Sequence, residues 1–207
     1  MTEYIFLGQF VQESDEFYVS DPCDYKPKKG ADGRRTSNAL LEGCQILAAK
    51  KGNWNCWVLY DINEERCMEL IAKHCDGDII SDPDLANYSD NDVERYWIEA
   101  GSIGVDSGQA GIYDLSYYRS DTNDDGRPHM KICGPYKKDG DLWYDMNCSI
   151  TLDENLGAGI IPNGVVSSSG YGDGLYKVYV TDDGYIVDAV KIIFIGDDNS
   201  DESDSDF

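Results

Sequence analysis

Apolar positions in this chain fall into short runs rich in β-branched and aromatic residues, each closed off by Gly, Asn or Asp. That pattern predicts strands over 4–11, 16–19, 45–50, 54–62, 67–74, 97–105 and 110–113. The C-terminal set, 159–167, 175–181 and 185–195, is the clearest. Asp182-Asp183-Gly184 supplies the Asp-Gly chemistry of a tight hairpin between its last two members. Lys51-Gly52-Asn53 predicts another hairpin. Helix signals are fewer: Ser37 to Gly43 begins at a capping residue and stops at a glycine, and 89–96 and 141–148 are the other short candidates. A longer amphipathic helix over 38–50 competes with the strand at 45–50, and periodicity leaves both open. The fold class this predicts is mainly β, two packed antiparallel sheets resembling a β-sandwich, with a few short helices.

Composition sets the scale. With 207 residues, 41% of them hydrophobic, the chain has material for one domain burying roughly 70% of its unfolded surface. The expected division is a domain over 1–195 and an acidic tail over 196–207. The tail carries six carboxylates and almost nothing apolar, so it is expected to be disordered.

Charge changes the picture further. The net charge of -23, less the six tail carboxylates, leaves -17 on residues 1–195. Such a surface repels phosphate backbones and anionic headgroups, which argues against direct nucleic-acid or membrane-surface binding and favours a cation or a basic protein partner. Solubility alone also accounts for it. Five of the 17 basic residues sit together in the loop 25–36, which suits an anion, a partner or a solvated turn.

Seven cysteines form no even framework, and residues 1–8 carry neither a basic leader nor a long apolar stretch. No run is long enough to span a membrane. The expectation is reduced thiols in the cytoplasm or a host-cell cytosol, and not secretion.

Three stretches carry the candidate chemistry. Gly164-Val-Val-Ser-Ser-Ser-Gly-Tyr-Gly-Asp-Gly174 follows strand-forming valines with hydroxyls, glycines and a carboxylate. Glycines at 170, 172 and 174 permit positive φ and close approach, so successive N–H groups there can form an anion-binding nest. The stretch is no phosphate loop, because the Lys-Ser/Thr ending and following helix are missing. Val105-Asp-Ser-Gly-Gln109 has a similar build, and Asp21-Pro22-Cys23 is a third turn. If strand-end loops gather, the three form one pocket; the alternative is three independent turns. The residues singled out for a ligand or partner are Asp21, Cys23, Asp106, Ser107, Gln109, Ser168, Ser169, Gly172 and Asp173.

Asp121, Asn123 and Asp125 match the opening of a calcium loop, but Ile132 stands where the twelfth position needs a bidentate glutamate. Weak binding of calcium or another divalent ion fits better than an EF-hand, and no other cofactor is expected. Asp21, Asp106 and Asp173 on a divalent ion would suit metal-assisted hydrolysis. Cys23 with His74 or His129 and Asp106 is a second hydrolase arrangement. Cys67, His74 and Cys75 are poor zinc ligands, since alternation puts His74 and Cys75 on opposite strand faces. A third possibility is an acidic mimic of nucleic acid that occupies a basic protein's groove.

Val19-Ser-Asp-Pro-Cys-Asp-Tyr25, Gly104-Val-Asp-Ser-Gly-Gln-Ala-Gly-Ile-Tyr-Asp114 and the stretch from Gly164 to Tyr176 together resemble a family of small proteins from bacteria and large viruses, similar to domain of unknown function 4241. The likeness runs in order through most of 17–195 and implies no established activity. It departs at Asp24, where the pattern has tyrosine directly after the cysteine. The basic loop 26–35 and the acidic tail are additions to it.

Overall fold

The computed structural model describes residues 1–24, 26–27, 43–75, 97–119, 141–153, 155–182 and 185–196. The helices expected at 37–43 and 89–96, the calcium-like loop with Asp121, Asn123 and Asp125, the Asp183-Gly184 turn and the tail beyond 196 lie outside these residues, apart from Gly43.

The described chain is mainly β. Its strands are β1 (Thr2–Gln12), β2 (Glu16–Ser20), β3 (Gln45–Ala48), β4 (Gly52–Asp61), β5 (Arg66–Cys75), β6 (Ile98–Val105), β7 (Gln109–Asp114), β8 (Ala158–Ile161), β9 (Gly164–Ser168), β10 (Gly174–Asp182) and β11 (Val187–Ile193), with one helix, α1 (Asp141–Thr151). They build two antiparallel sheets, ordered β1-β4-β5-β11-β10-β6 and β3-β2-β7-β9-β8.

Alternation along the strands of the second sheet decides the layers. Phe17, Val19, Ala110, Ile112 and Val165 face the first sheet and meet Trp54, Leu70, Ile103, Val178 and Ile192 in the main core. Their neighbours Tyr18, Tyr113 and Val166 point the other way and form a second core with Tyr118 and with Trp143 of α1. Each such side chain contributes about 1.5–3 kcal/mol on full burial, so α1, though short, covers an apolar face that would otherwise be wet. No helix of the described residues is long and apolar enough to cross a membrane.

Two expected elements come out differently. Lys51-Gly52-Asn53 is not a hairpin, because β3 and β4 belong to different sheets. The chain changes layer at Ala49–Lys50, which bond to Asp15 and Val187 instead of continuing a ladder. The run over 159–167 is two strands: Ile161 pairs with Gly164 around Pro162-Asn163. Proline lacks the donor for a ladder, and Asn163 takes φ 58, the positive φ that a turn with proline at its second position places at the third. The helix at 141–148 extends to Thr151, with Asn147 bonded back to Trp143.

Candidate functional site

β2, β7 and β9 are adjacent, and Gln109 pairs with Ser168 while Ser20 pairs with Gly111. The end of β2, the start of β7 and the end of β9 therefore share one end of the second sheet. Asp21, the first residue past β2, is buried there. Its carboxylate accepts from the amides of Asp106 (2.8 Å) and Ser107 (2.7 Å) and from the Ser107 hydroxyl (2.6 Å). The Cys23 amide, 2.7 Å away, is its fourth donor. Gly108 then turns with φ 69, and its carbonyl accepts from the Ser169 amide at 3.0 Å. The structure thus brings 21–24, 106–109 and 168–173 together.

Within this meeting the singled-out residues divide. Asp21 and Ser107 are spent on each other. The Ser169 hydroxyl donates to the Gly172 carbonyl (2.7 Å), and the Tyr176 hydroxyl lies 2.8 Å from the Ser169 carbonyl and 2.7 Å from that of Gly172, which locks the turn. Ser168 turns away to the Cys67 thiol of the first sheet, 3.3 Å distant. Gly172 takes φ 105 and faces open space. Cys23, Asp106 and Asp173 are exposed. The nest expected around 170–174 occurs instead at Asp106 and Ser107, and its anion is the protein's own Asp21. For a shared metal on Asp21, Asp106 and Asp173, the Asp21 carboxylate already holds four donors, and among the described residues no three acidic, thiol or imidazole groups gather as a metal site.

Gln109 and Tyr113 lie on one face of β7, under α1. A Cβ at Gly111 between them would fall 2.2 Å from both Cζ and Oη of Tyr113, so only glycine lets that ring lie back along the strand. The Tyr113 hydroxyl lies 3.2 Å from Asn147 Oδ1. Gln109 is buried, and its Nε2 donates to Cys148 Sγ at 3.5 Å. Its Oε1 has no partner, and neither does the buried Oδ2 of Asp24.

The electrostatics follow from this crowding of acids. Burial, then the charges of Asp21 and Asp106, push the Asp24 carboxyl up to about 7, with Arg119 acting against them. Burial and the same carboxylates push the Cys23 thiol up to about 12. Cys23 is therefore protonated at neutral pH and lacks the thiolate a cysteine nucleophile needs. His74 stands elsewhere, with Nε2 3.0 Å from the Lys51 carbonyl and its ring against Trp54; His129 lies outside the described residues. Arg119 donates to the Pro22 carbonyl at 2.9 Å and sits 5.7 Å from the Tyr144 ring centre.

Asp24, Arg119, Tyr144 and Cys148 are the neighbours that sequence reasoning missed. Asp24 had a signal, since it is the residue that interrupts the Cys-Tyr pattern. The others are reached only through the docking of α1 and the turn after β7, which no local motif encodes. No family model, no curated protein and no solved structure matches this chain.

Proposed function

We propose that the protein is a non-enzymatic binding or interaction domain whose ligand or partner docks where the three turns meet. The observation that supports this is a pair of buried acceptors without partners, Asp24 Oδ2 and Gln109 Oε1, beside the exposed Cys23 and Asp106. A buried polar group left unpaired in a native structure calls for an explanation, and a water, an ion or a ligand is one of them; Gln12 Oε1 and Trp57 Nε1 are unpaired as well, but away from the three turns. The net charge of -23 adds long-range attraction for a cationic ligand or a basic protein and is the same property a nucleic-acid mimic would use.

The Cys23 form of a hydrolase loses support, because burial and then the surrounding carboxylates hold its thiol protonated. Native mass spectrometry of the protein as purified from cells, with and without chelator, tests the binding reading. The expected result is a retained mass that disappears in Asp106→Ala while the melting temperature stays put. Loss on chelation alone would select the metal-dependent alternative. A bare mass, together with no basic partner bound in a salt-sensitive manner, would overturn the reading.

A further inference from the structure

Around Asp21 the acceptors outnumber the donors. Asp21 is satisfied by four of them, which leaves Asp24 Oδ2 and Gln109 Oε1 buried and unpaired. Gln109 is only 6% exposed, and its Nε2 lies 3.5 Å from Cys148 Sγ. Each such orphan carries the desolvation penalty of an unmade hydrogen bond, and a ligand that brings donors recovers it. Charge sets the second requirement. Asp21, Asp24 and Asp106 act on one another, and Arg119 opposes their effect on Asp24 while engaged with Pro22 and Tyr144.

An alkylammonium group meets both requirements, with three N–H donors and one compact positive charge. Carboxylates and phosphates meet neither, and a neutral amide brings donors without charge. We propose that this site binds a protonated amine, a free amine or the lysine side chain of a partner, with Asp24 and Gln109 as its acceptors. This rests on the reading of the three turns as a binding site. Exposed Cys23 and Asp106, from two of those turns, form the entry.

The groups facing Asp24 come from every neighbouring element. They are Asp21 and Cys23 of its own turn, Asp106 of the next, Tyr18 of β2, Cys44 before β3, Tyr113 of β7, and Tyr118 and Arg119 after it. The thiols and phenols with raised values stay neutral below pH 8, and the Asp24 carboxyl, pushed up to about 7, changes charge between pH 6 and 8. An ammonium selects its ionised form, and the linked proton makes affinity rise about tenfold across that interval.

The test is calorimetric titration of the full chain with N-acetyl-lysine N-methylamide, putrescine and the neutral N-acetyl-norleucine N-methylamide, at pH 6 and pH 8. Both cationic probes are expected to bind, the neutral one not, with the tenfold rise in affinity toward pH 8. Asp24→Asn abolishes that rise, and Gln109→Met, which keeps the side-chain volume, weakens both cations about tenfold. Tighter binding of the lysine derivative than of putrescine assigns the source to a partner's lysine; the reverse order assigns a free amine. Equal binding of the norleucine probe, a pH step that survives Asp24→Asn, or no binding of any probe overturns the amine. Native mass spectrometry then separates the two failures: a retained mass lost in Gln109→Met leaves the binding site standing without the amine, and a bare mass removes both.

Discussion

Two buried aspartates organise this sandwich in the same way, and their surroundings differ. Asp114, ending β7, accepts from the amides of Glu13 and Ser14 and from the Ser14 hydroxyl, at 2.7, 2.8 and 2.6 Å. Asp21 accepts the same three kinds of donor from Asp106 and Ser107, again an acid followed by a serine. Each also caps its own turn two residues on, Asp114 at the Ser116 amide and Asp21 at the Cys23 amide. The difference lies around them. Beside Asp114, Glu13 accepts from the Tyr117 hydroxyl at 2.5 Å, and Ser116 adds its own hydroxyl to the knot at 2.7 Å. Gln12 nearby also has an unpaired Oε1, but its Nε2 is anchored on two backbone carbonyls, of Ser14 and Glu16. Beside Asp21, Asp24 has no side-chain donor among the described residues and stands in the field of two further carboxylates. The first knot leaves one neutral amide oxygen over; the second leaves an amide oxygen and a carboxylate oxygen.

The largest expected effect is shared by both knots. Asp114→Ala and Asp21→Ala each strand three amides, and a loss of about 3 kcal/mol or more is expected in urea unfolding. If Asp21→Ala unfolds at the wild-type denaturant midpoint, Asp21 is not the frame of the second knot and the comparison breaks. Next comes Gly111→Ala, which drives a methyl into Tyr113 Oη and the Val165 carbonyl. Overpacking of that kind costs about 1–3 kcal/mol, and Gly111→Ala in a Tyr113→Phe background keeps most of the loss, because Cζ is as close as Oη.

Asp24 separates the knots by pH. Its folded carboxyl, at about 7, lies above the ordinary 3.8, so protonated Asp24 favours the fold at low pH. That contribution is complete below about pH 4 and is lost as pH rises through 7. Asp24→Asn should therefore raise the melting temperature at pH 8, leave it nearly unchanged at pH 4, and flatten the slope between. An unchanged slope in the variant would place the titration elsewhere.

Strand positions were legible because each run of β-branched and aromatic residues is bounded by residues that cannot continue it. The misread places are those where a layer change or a two-residue turn overrode local composition, at Ala49–Lys50 and Pro162-Asn163. The gathering of the three turns was one of two open readings, and strand adjacency decided it. Asp21 looked like a ligand contact because Asp-Pro-Cys is a turn and a carboxylate is a binding group. That its anion role is internal depends on Asp106 and Ser107 arriving from 85 residues away. Glu13-Ser14 and Asp106-Ser107 are too short and too ordinary to reveal the repeated knot without that pairing.

The smallest expected effect is the sharpest probe of the likeness. Cys23 occupies in one knot the place Ser116 occupies in the other, two residues past the buried aspartate. A hydroxyl is the stronger donor, so Cys23→Ser should let residue 23 donate to Asp21 as Ser116 does to Asp114. A gain or loss within about 0.5 kcal/mol is expected for an exposed position, measured by urea unfolding at pH 7. Alkylation gives the chemical counterpart. Wild-type Cys23, its thiol up at about 12, should react with iodoacetamide far more slowly at pH 8 than its exposure suggests, because the thiolate is the nucleophile. Asp106→Asn and Asp24→Asn each remove a nearby negative charge and should speed that reaction. A rate in the wild type matching a free thiol, unaffected by either variant, would mean that the carboxylates do not act on Cys23 and that the second knot is as closed as the first.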